Sequence, residues 1–222
     1  MNIEIKNISK HFGKKQVLKN ANFTAESGIC VGLLGVNGSG KSTLLNILAG
    51  VIKSDNGQFI CDGENLFNNS ALRSSKVGFI PQGTPLIDEL TAYDNLLMWY
   101  KKADLKRELS NGVLKMLGIN EFLKTPVYKM SGGMKKRLSI GCAVAGNPQI
   151  LLLDEPTAAL DIVCKESITA YLESFKANGG IVIIATHDVK ELDLCEKLFI
   201  LKEGSLNAFE FDGDIQRLVS SL

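Results

Sequence analysis

No uninterrupted apolar stretch in this chain approaches the roughly 20 residues that cross a bilayer. Runs such as ILLL at 150–153 and IVIIA at 181–185 are far shorter, so the protein is not expected to span a membrane. Charge of one sign is also missing. The 25 basic and 24 acidic residues leave a formal +1, which removes the electrostatic case for nucleic acid or an acidic membrane surface as the main partner. The five cysteines, Cys30, Cys61, Cys142, Cys164 and Cys195, are odd in number, widely spaced and free of any CxxC pair. They imply neither a disulfide scaffold nor a zinc framework and read as small core residues in a reducing compartment. The start, MNIEIKNISK, lacks the continuous apolar stretch of a secretory leader, so no signal peptide is expected. Nor is there an internal repeat, low-complexity tract or long linker, and neither a second unit nor a disordered tail is expected.

What is present is ordinary globular material. With 222 residues, 45% hydrophobic and 22% charged, one compact unit can bury a sizeable core. Ile3 and Ile5 alternate with Glu4 and Lys6, a period of two that predicts a half-buried antiparallel strand near the start. By contrast, VGLL at 31–34, ILLL at 150–153 and IVIIA at 181–185 are continuous apolar runs, as in parallel strands covered on both faces by helices. One helix is predicted from Lys41, with Leu44, Ile47, Leu48, Val51 and Ile52 on one face and Gly50 as a stop. Between Pro85 and Lys129 no parallel-strand run occurs, and the Leu-, Lys- and Glu-rich segments 93–102 and 105–117 predict a helical insertion. A further helix, from about Gly133, is predicted to bury Leu138, Gly141, Cys142 and Ala145 and to end at Gly146, Asn147 and Pro148.

The strongest local signal is GVNGSGKS at 35–42, which matches GxxxxGK[ST] between a strand and a helix. Gly35, Asn37, Gly38, Ser39 and Gly40 let the backbone wrap so that successive amides and the helix N-terminus face phosphate oxygens. Lys41 is expected to reach the β- and γ-phosphates. Ser42 is placed to ligate magnesium, with Thr43 supporting the turn. A glycine-rich turn with a solvated lysine is the bland alternative, and the full pattern disfavours it.

The run at 150–153 ends in Asp154, Glu155 and Pro156, which sets two carboxylates at the end of a buried strand, where open α/β sheets bind ligands. Asp154 suits the hydration shell of magnesium, and Glu155 suits polarisation of an attacking water. Pro156 is expected to hold Glu155 extended. Two acids at a strand end also fit a solvated loop. His187 follows the run at 181–185 and could contact a γ-phosphate, although a lone histidine is more often structural. His11 has no comparable setting and is expected to be exposed.

MSGGM at 130–134 lies some twenty residues before Asp154, and here the chain resembles the ABC ATPase family, whose signature reads LSGGQ. Ser131 can act as an N-cap while Gly132 and Gly133 expose amides, making a second anion site at a helix start. The resemblance covers nearly the whole chain. It implies an α/β fold, a P-loop NTPase core with a mostly parallel sheet, an N-terminal antiparallel β subdomain and an inserted α-helical subdomain. Residues 1–222 are then one ABC ATPase domain, with the helical insertion at roughly 84–146.

From the family pattern, Gln82 resembles the glutamine that ties magnesium and the attacking water to the helical insertion. Asp161 resembles the loop that communicates across a dimer, though an exposed helix-start aspartate reads the same way. Phe12 stands where the family offers an aromatic ring to adenine, with a core aromatic as its bland alternative. The implied cofactors are ATP and Mg2+, and the implied partners are a second ATPase subunit, head-to-tail in a homodimer, and integral-membrane permease subunits, through which this cytoplasmic chain is expected to sit peripherally on the cytoplasmic face of the membrane. Met130 and Met134 depart from the usual leucine and glutamine. The resulting expectation is an ATP-hydrolysing transporter subunit, with export slightly favoured. A soluble non-transport ABC ATPase and a regulatory ATP-binding module are the rivals.

Overall fold

A computed structural model describes residues 1–222. The chain opens with β1 (Asn2–Phe12) and β2 (Lys15–Glu26) and continues through β3 (Cys30–Leu34), α1 (Lys41–Ala49), β4 (Asn56–Cys61), β5 (Glu64–Asn65), α2 (Ser70–Lys76) and β6 (Val77–Ile80). A helical stretch follows, made of α3 (Ala92–Leu97), α4 (Lys102–Asn111), α5 (Val113–Met116), two 3-10 turns and α6 (Gly132–Ala143). The remainder alternates: β7 (Ile150–Asp154), α7 (Ile162–Ala177), β8 (Ile181–Ala185), α8 (Val189–Leu192), β9 (Lys197–Lys202), β10 (Ser205–Phe209) and α9 (Ile215–Ser221).

The strands form two sheets. One is antiparallel, in the order β2-β1-β4-β5, and buries Ile3, Ile5 and Ile8 of β1, the alternation its sequence predicts. The other runs β10-β9-β3-β8-β7-β6, with every pairing parallel except the β9–β10 hairpin at one edge.

Both faces of the parallel sheet are covered, which explains the unbroken apolar runs. Ile150, Leu152, Ile181 and Ile183 share a core with Ile3, Phe59, Leu44 and Leu48, on the side of the antiparallel sheet and α1. Their neighbours Leu151, Leu153, Val182 and Ile184 share a second core with Leu96, Leu114, Leu138 and Ile168, on the side of the later helices. Each such side chain contributes roughly 1.5–3 kcal/mol through removal from water.

Register then places the strand ends. Ile80 pairs with Leu153, Asp154 with Ala185, and Leu33 also with Ala185. The segments beginning at Gln82, Glu155, His187 and Gly35 therefore leave one edge of the sheet side by side, at the carboxyl ends of parallel strands, where such sheets bind ligands.

Three local expectations are corrected. The first helix stops at Gly50 as expected, the glycine at φ 82 turning its N–H back onto Asn46 O and Ile47 O, but Val51 and Ile52 therefore lie outside the helix and Val51 is exposed instead of on its apolar face. The helix at the MSGGM motif begins at Gly132 and ends at Ala143, so Ala145 lies beyond it and is only half-buried. Glu155 is not extended. It stands at φ 47, in the left-handed region, as its N–H donates to Ala185 O (2.8 Å) and the chain turns away from the end of β7. Such a backbone costs on the order of 1–3 kcal/mol in a non-glycine residue and is concentrated at functional sites.

Candidate functional site

The phosphate-type loop grows out of β3 and closes on α1. Gly40 caps the helix at φ 116, where a Cβ would sit 2.9 Å from Val17 Cγ1, so the turn needs glycine for both dihedral and space. Ser39 N donates to Val36 O (3.1 Å), whereas the amides of Asn37, Gly38, Gly40, Lys41, Ser42 and Thr43 have no protein acceptor. Unpaired amides at a helix start form an anion cradle. The Ser39 hydroxyl is buried without a partner beneath the loop.

A cavity of about 450 Å³ opens over this loop, lined by Phe12, Asn37, Gly38, Gly40, Lys41, Ser42, Thr43, Gln82 and Glu155 among others. Phe12 is half-exposed at the end of β1 and lines this cavity, with Lys10 Nζ over its ring, 5.4 Å from the centre. The core alternative for Phe12 is thereby excluded.

Lys41 is buried. Its Nζ donates to Gly35 O (2.6 Å) and Val36 O (3.3 Å) and lies 3.1 Å from His187 Nε2. Burial lowers its pKa, and Glu155 and Asp154 push it back up. A cationic lysine held only by carbonyls and an imidazole is primed for a better anionic partner. Burial, then Lys41, lowers the His187 pKa, which favours a neutral imidazole with Nε2 as acceptor.

Glu155 is the hub of the row. Gln82 Nε2 donates to its Oε2 (2.9 Å), and His187 Nε2 lies 3.3 Å from its Oε1. Asp154, one residue back, is buried beneath; desolvation raises its pKa and a hydrogen bond from Ser42 lowers it. The structure thus brings Lys41, Ser42, Gln82, Asp154, Glu155 and His187 together.

It does not bring Ser131, Gly132, Gly133 or Asp161 to this cavity. Ser131 caps α6, its Oγ accepting from Met134 N (3.2 Å), and is exposed with Gly132. Gly133 is buried, and a Cβ there would meet Cys164 Sγ at 2.4 Å, so this position needs glycine for space. Asp161 caps α7, accepting from Cys164 N (2.8 Å), and its carboxylate lies near Gly133. Ser131, Gly132 and Asp161 lie exposed on a second surface of the same molecule, with Gly133 buried beside them. His11 is exposed and pairs with Asp55.

Two side chains passed over in the sequence hold the row in place. Lys136 of α6 is buried and donates to Pro81 O (3.0 Å) and Gln82 O (3.1 Å), tying the helix that Ser131 caps to the Gln82 loop. Glu191 of α8 is buried and accepts from Thr157 Oγ1, and a hydrogen bond from Thr186 also reaches it. It therefore clips the segment after Glu155 to the residue before His187. A lysine two positions before buried Leu138 and four before Ile140 was the available signal for Lys136; Glu191 offered none.

A family model described as ABC transporter matches residues 18–158. The chain belongs to the ABC transporter family. Over 207 residues it is 38% identical to the Nod factor export ATP-binding protein I of Sinorhizobium fredii, covering 91% of this chain and 60% of that protein. To the sulfate/thiosulfate import ATP-binding protein of Neisseria meningitidis it is 32% identical over 216 residues, covering 93% and 60%. The chain therefore spans 60% of the length of each of these ABC relatives. Among solved structures it is similar to a dimeric ATP-binding cassette in a post-hydrolysis state bound to ADP and Pi, with TM-score 0.83, 30% identity and coverage of 96% and 100%. ABC ATP-binding domains are nucleotide-binding ATPases, and this chain is one.

Proposed function

We propose that this chain is the ATP-hydrolysing subunit of a transporter whose membrane-spanning part is a separate permease, and that it works as a head-to-tail pair. The observation that carries the reading is the row of Lys41, Gln82, Glu155 and His187 around one cavity. Residues 1–222 act as one unit in which the helical stretch, roughly 84–146, couples the site to the permease. Exposed Met98 and Trp99 in that stretch suit a protein contact.

In this reading the unpaired loop amides and Lys41 grip the phosphates, and the Phe12 face stacks on adenine. Ser42, Asp154 and Gln82 offer hard oxygen donors that fit Mg2+. No group of three His, Cys, Asp or Glu side chains is arranged to hold a metal ion by itself, so such an ion would draw its remaining oxygens from nucleotide and water. When bound, the ion neutralises phosphate charge. Glu155 orients the attacking water and accepts its proton, Gln82 holds the Glu155 carboxylate, and neutral His187 donates to the terminal phosphate once its ring turns from Lys41. Ser131, Gly132, Gly133 and Asp161 face the nucleotide held by the second copy, which explains why they stand apart from their own cavity.

Export is the direction we favour, supported by the short helical stretch and by the Nod factor relative's name, while the sulfate relative's name includes import. Phosphate release by the purified chain tests the hydrolytic role: wild type turns over and Lys41→Ala loses binding and turnover together, whereas undiminished release by the variant refutes it. Affinity purification from detergent-extracted membranes tests the transport role. A co-purifying integral-membrane chain supports it, and recovery of the ATPase alone favours a soluble ATPase. Nucleotide-driven uptake into inside-out vesicles then tests export.

A further inference from the structure

Cys30 opens β3 and Cys195 lies in the turn between α8 and β9, 165 positions later, yet their sulfurs are 3.3 Å apart. The approach is built by the backbone, because Glu196 N donates to Cys30 O (3.1 Å) and Glu196 Oε2 accepts from Cys30 N (2.7 Å). Lys176 Nζ donates to Leu194 O (2.6 Å) and Glu196 Oε1 (2.6 Å), pinning the turn on the other side of Cys195. The two thiols therefore face each other across a rigid junction and need to close by only about 1.3 Å to reach the roughly 2.05 Å of a disulfide.

Access is unequal. Cys30 is buried, while Cys195 is partly exposed on the wall of a cleft of about 840 Å³ between β2 and β9, lined by Asn22, Thr24, Asp193 and Phe209 among others. This cleft is larger than the nucleotide cavity and shares no lining residue with it. A small polar oxidant can enter it and reach one sulfur of the pair.

We propose that Cys30 and Cys195 form a redox pair that closes to an intramolecular disulfide on reaction with a hydroperoxide. In the first step the Cys195 sulfur attacks one peroxide oxygen, the O–O bond breaks, water leaves and Cys195 becomes a sulfenic acid. In the second the Cys30 sulfur attacks Cys195 Sγ, the S–O bond breaks, and the hydroxyl leaves as water with the Cys30 proton. Two thiols are oxidised by two electrons in all, and one hydrogen peroxide is reduced to two waters. The contact with Cys195 and burial both raise the pKa of Cys30, keeping it protonated and leaving the more open Cys195 as the first to react. The bond fastens the start of β3 to the turn after α8, closing a long loop of chain and restraining the unfolded state.

The test uses the whole folded chain, treated with hydrogen peroxide and then alkylated under denaturing conditions. Peptide mapping without reductant is expected to find Cys30 and Cys195 in one linked species, two hydrogens lighter than the sum of its free peptides, while Cys61, Cys142 and Cys164 stay alkylatable. The link disappears with dithiothreitol, and the oxidised wild type melts at a higher temperature than the reduced. Cys30→Ser is expected to trap Cys195 as a sulfenic acid detectable with dimedone, and Cys195→Ser to leave Cys30 unmodified. Absence of the linked species, over-oxidation of Cys195 without a link, linkage through any other cysteine, or cross-linking between molecules each overturns the proposal.

Discussion

Gln82 Nε2 donates to Glu155 Oε2 at 2.9 Å, although the two residues stand on opposite sides of the helical stretch in sequence. The contact follows from the β6–β7 register, which pairs Ile80 with Leu153 and brings both following segments off the sheet together. A displacement of the Gln82 loop would therefore reach the carboxylate proposed above to orient water.

Removal of that amide is expected to spare nucleotide binding and impair chemistry. Gln82→Ala should bind a fluorescent ATP analogue within a few-fold of wild type and release phosphate about 10–100-fold more slowly, a loss on the scale of a displaced acid–base group. Equal losses in binding and turnover would point to a binding role instead.

Lys136 supports the same loop from below. Lys136→Met leaves Pro81 O and Gln82 O without their buried donor, at a cost of about 1–3 kcal/mol. It should lower the melting midpoint and slow turnover with little change in ATP affinity. Lys136→Gln keeps a donor and should recover part of both losses; thermal melts beside phosphate release check this.

Glu155 carries a left-handed backbone at φ 47 in the position proposed to serve hydrolysis. Replacement by glycine relieves this strain. Glu155→Gly should unfold at higher denaturant, by about 1 kcal/mol after the entropic cost of glycine, and yet hydrolyse ATP at least about 100-fold more slowly. Loss of both stability and activity would mean that the carboxylate holds the fold.

Lys10 first, and then the His11 backbone and ring, hold Asp55 down from the ordinary 3.8 to about 2. Because the folded value is depressed, its contribution is complete above 3.8 and disappears as pH falls from there toward about 2. The gap in melting midpoint between wild type and Asp55→Asn should therefore be constant near neutrality and shrink across that acidic window.

Much of this was legible in the sequence because each strand and motif declares itself locally. Unbroken apolar runs at 31–34, 150–153 and 181–185 became strands buried on both faces, and the loop before Lys41 became a helix-start cradle. Ser131 caps its helix, as expected of a serine ahead of Gly132 and Gly133. Other features depend on tertiary approach. Nothing local to Glu155 announces its left-handed turn, since the proline after it argues for extension. The burial of Gly133 depends on Cys164, thirty-one positions away, and the clip made by Glu191 on Thr157 joins segments that meet only through the β7–β8 pairing.

The composite site proposed between two copies is tested most directly by gel filtration of Glu155→Gln with and without ATP. A monomer without nucleotide that elutes as a dimer with ATP, and reverts to monomer when Ser131→Arg is added, is the predicted result. A chain that stays monomeric with ATP, or that dimerises equally well with Ser131→Arg, would contradict it.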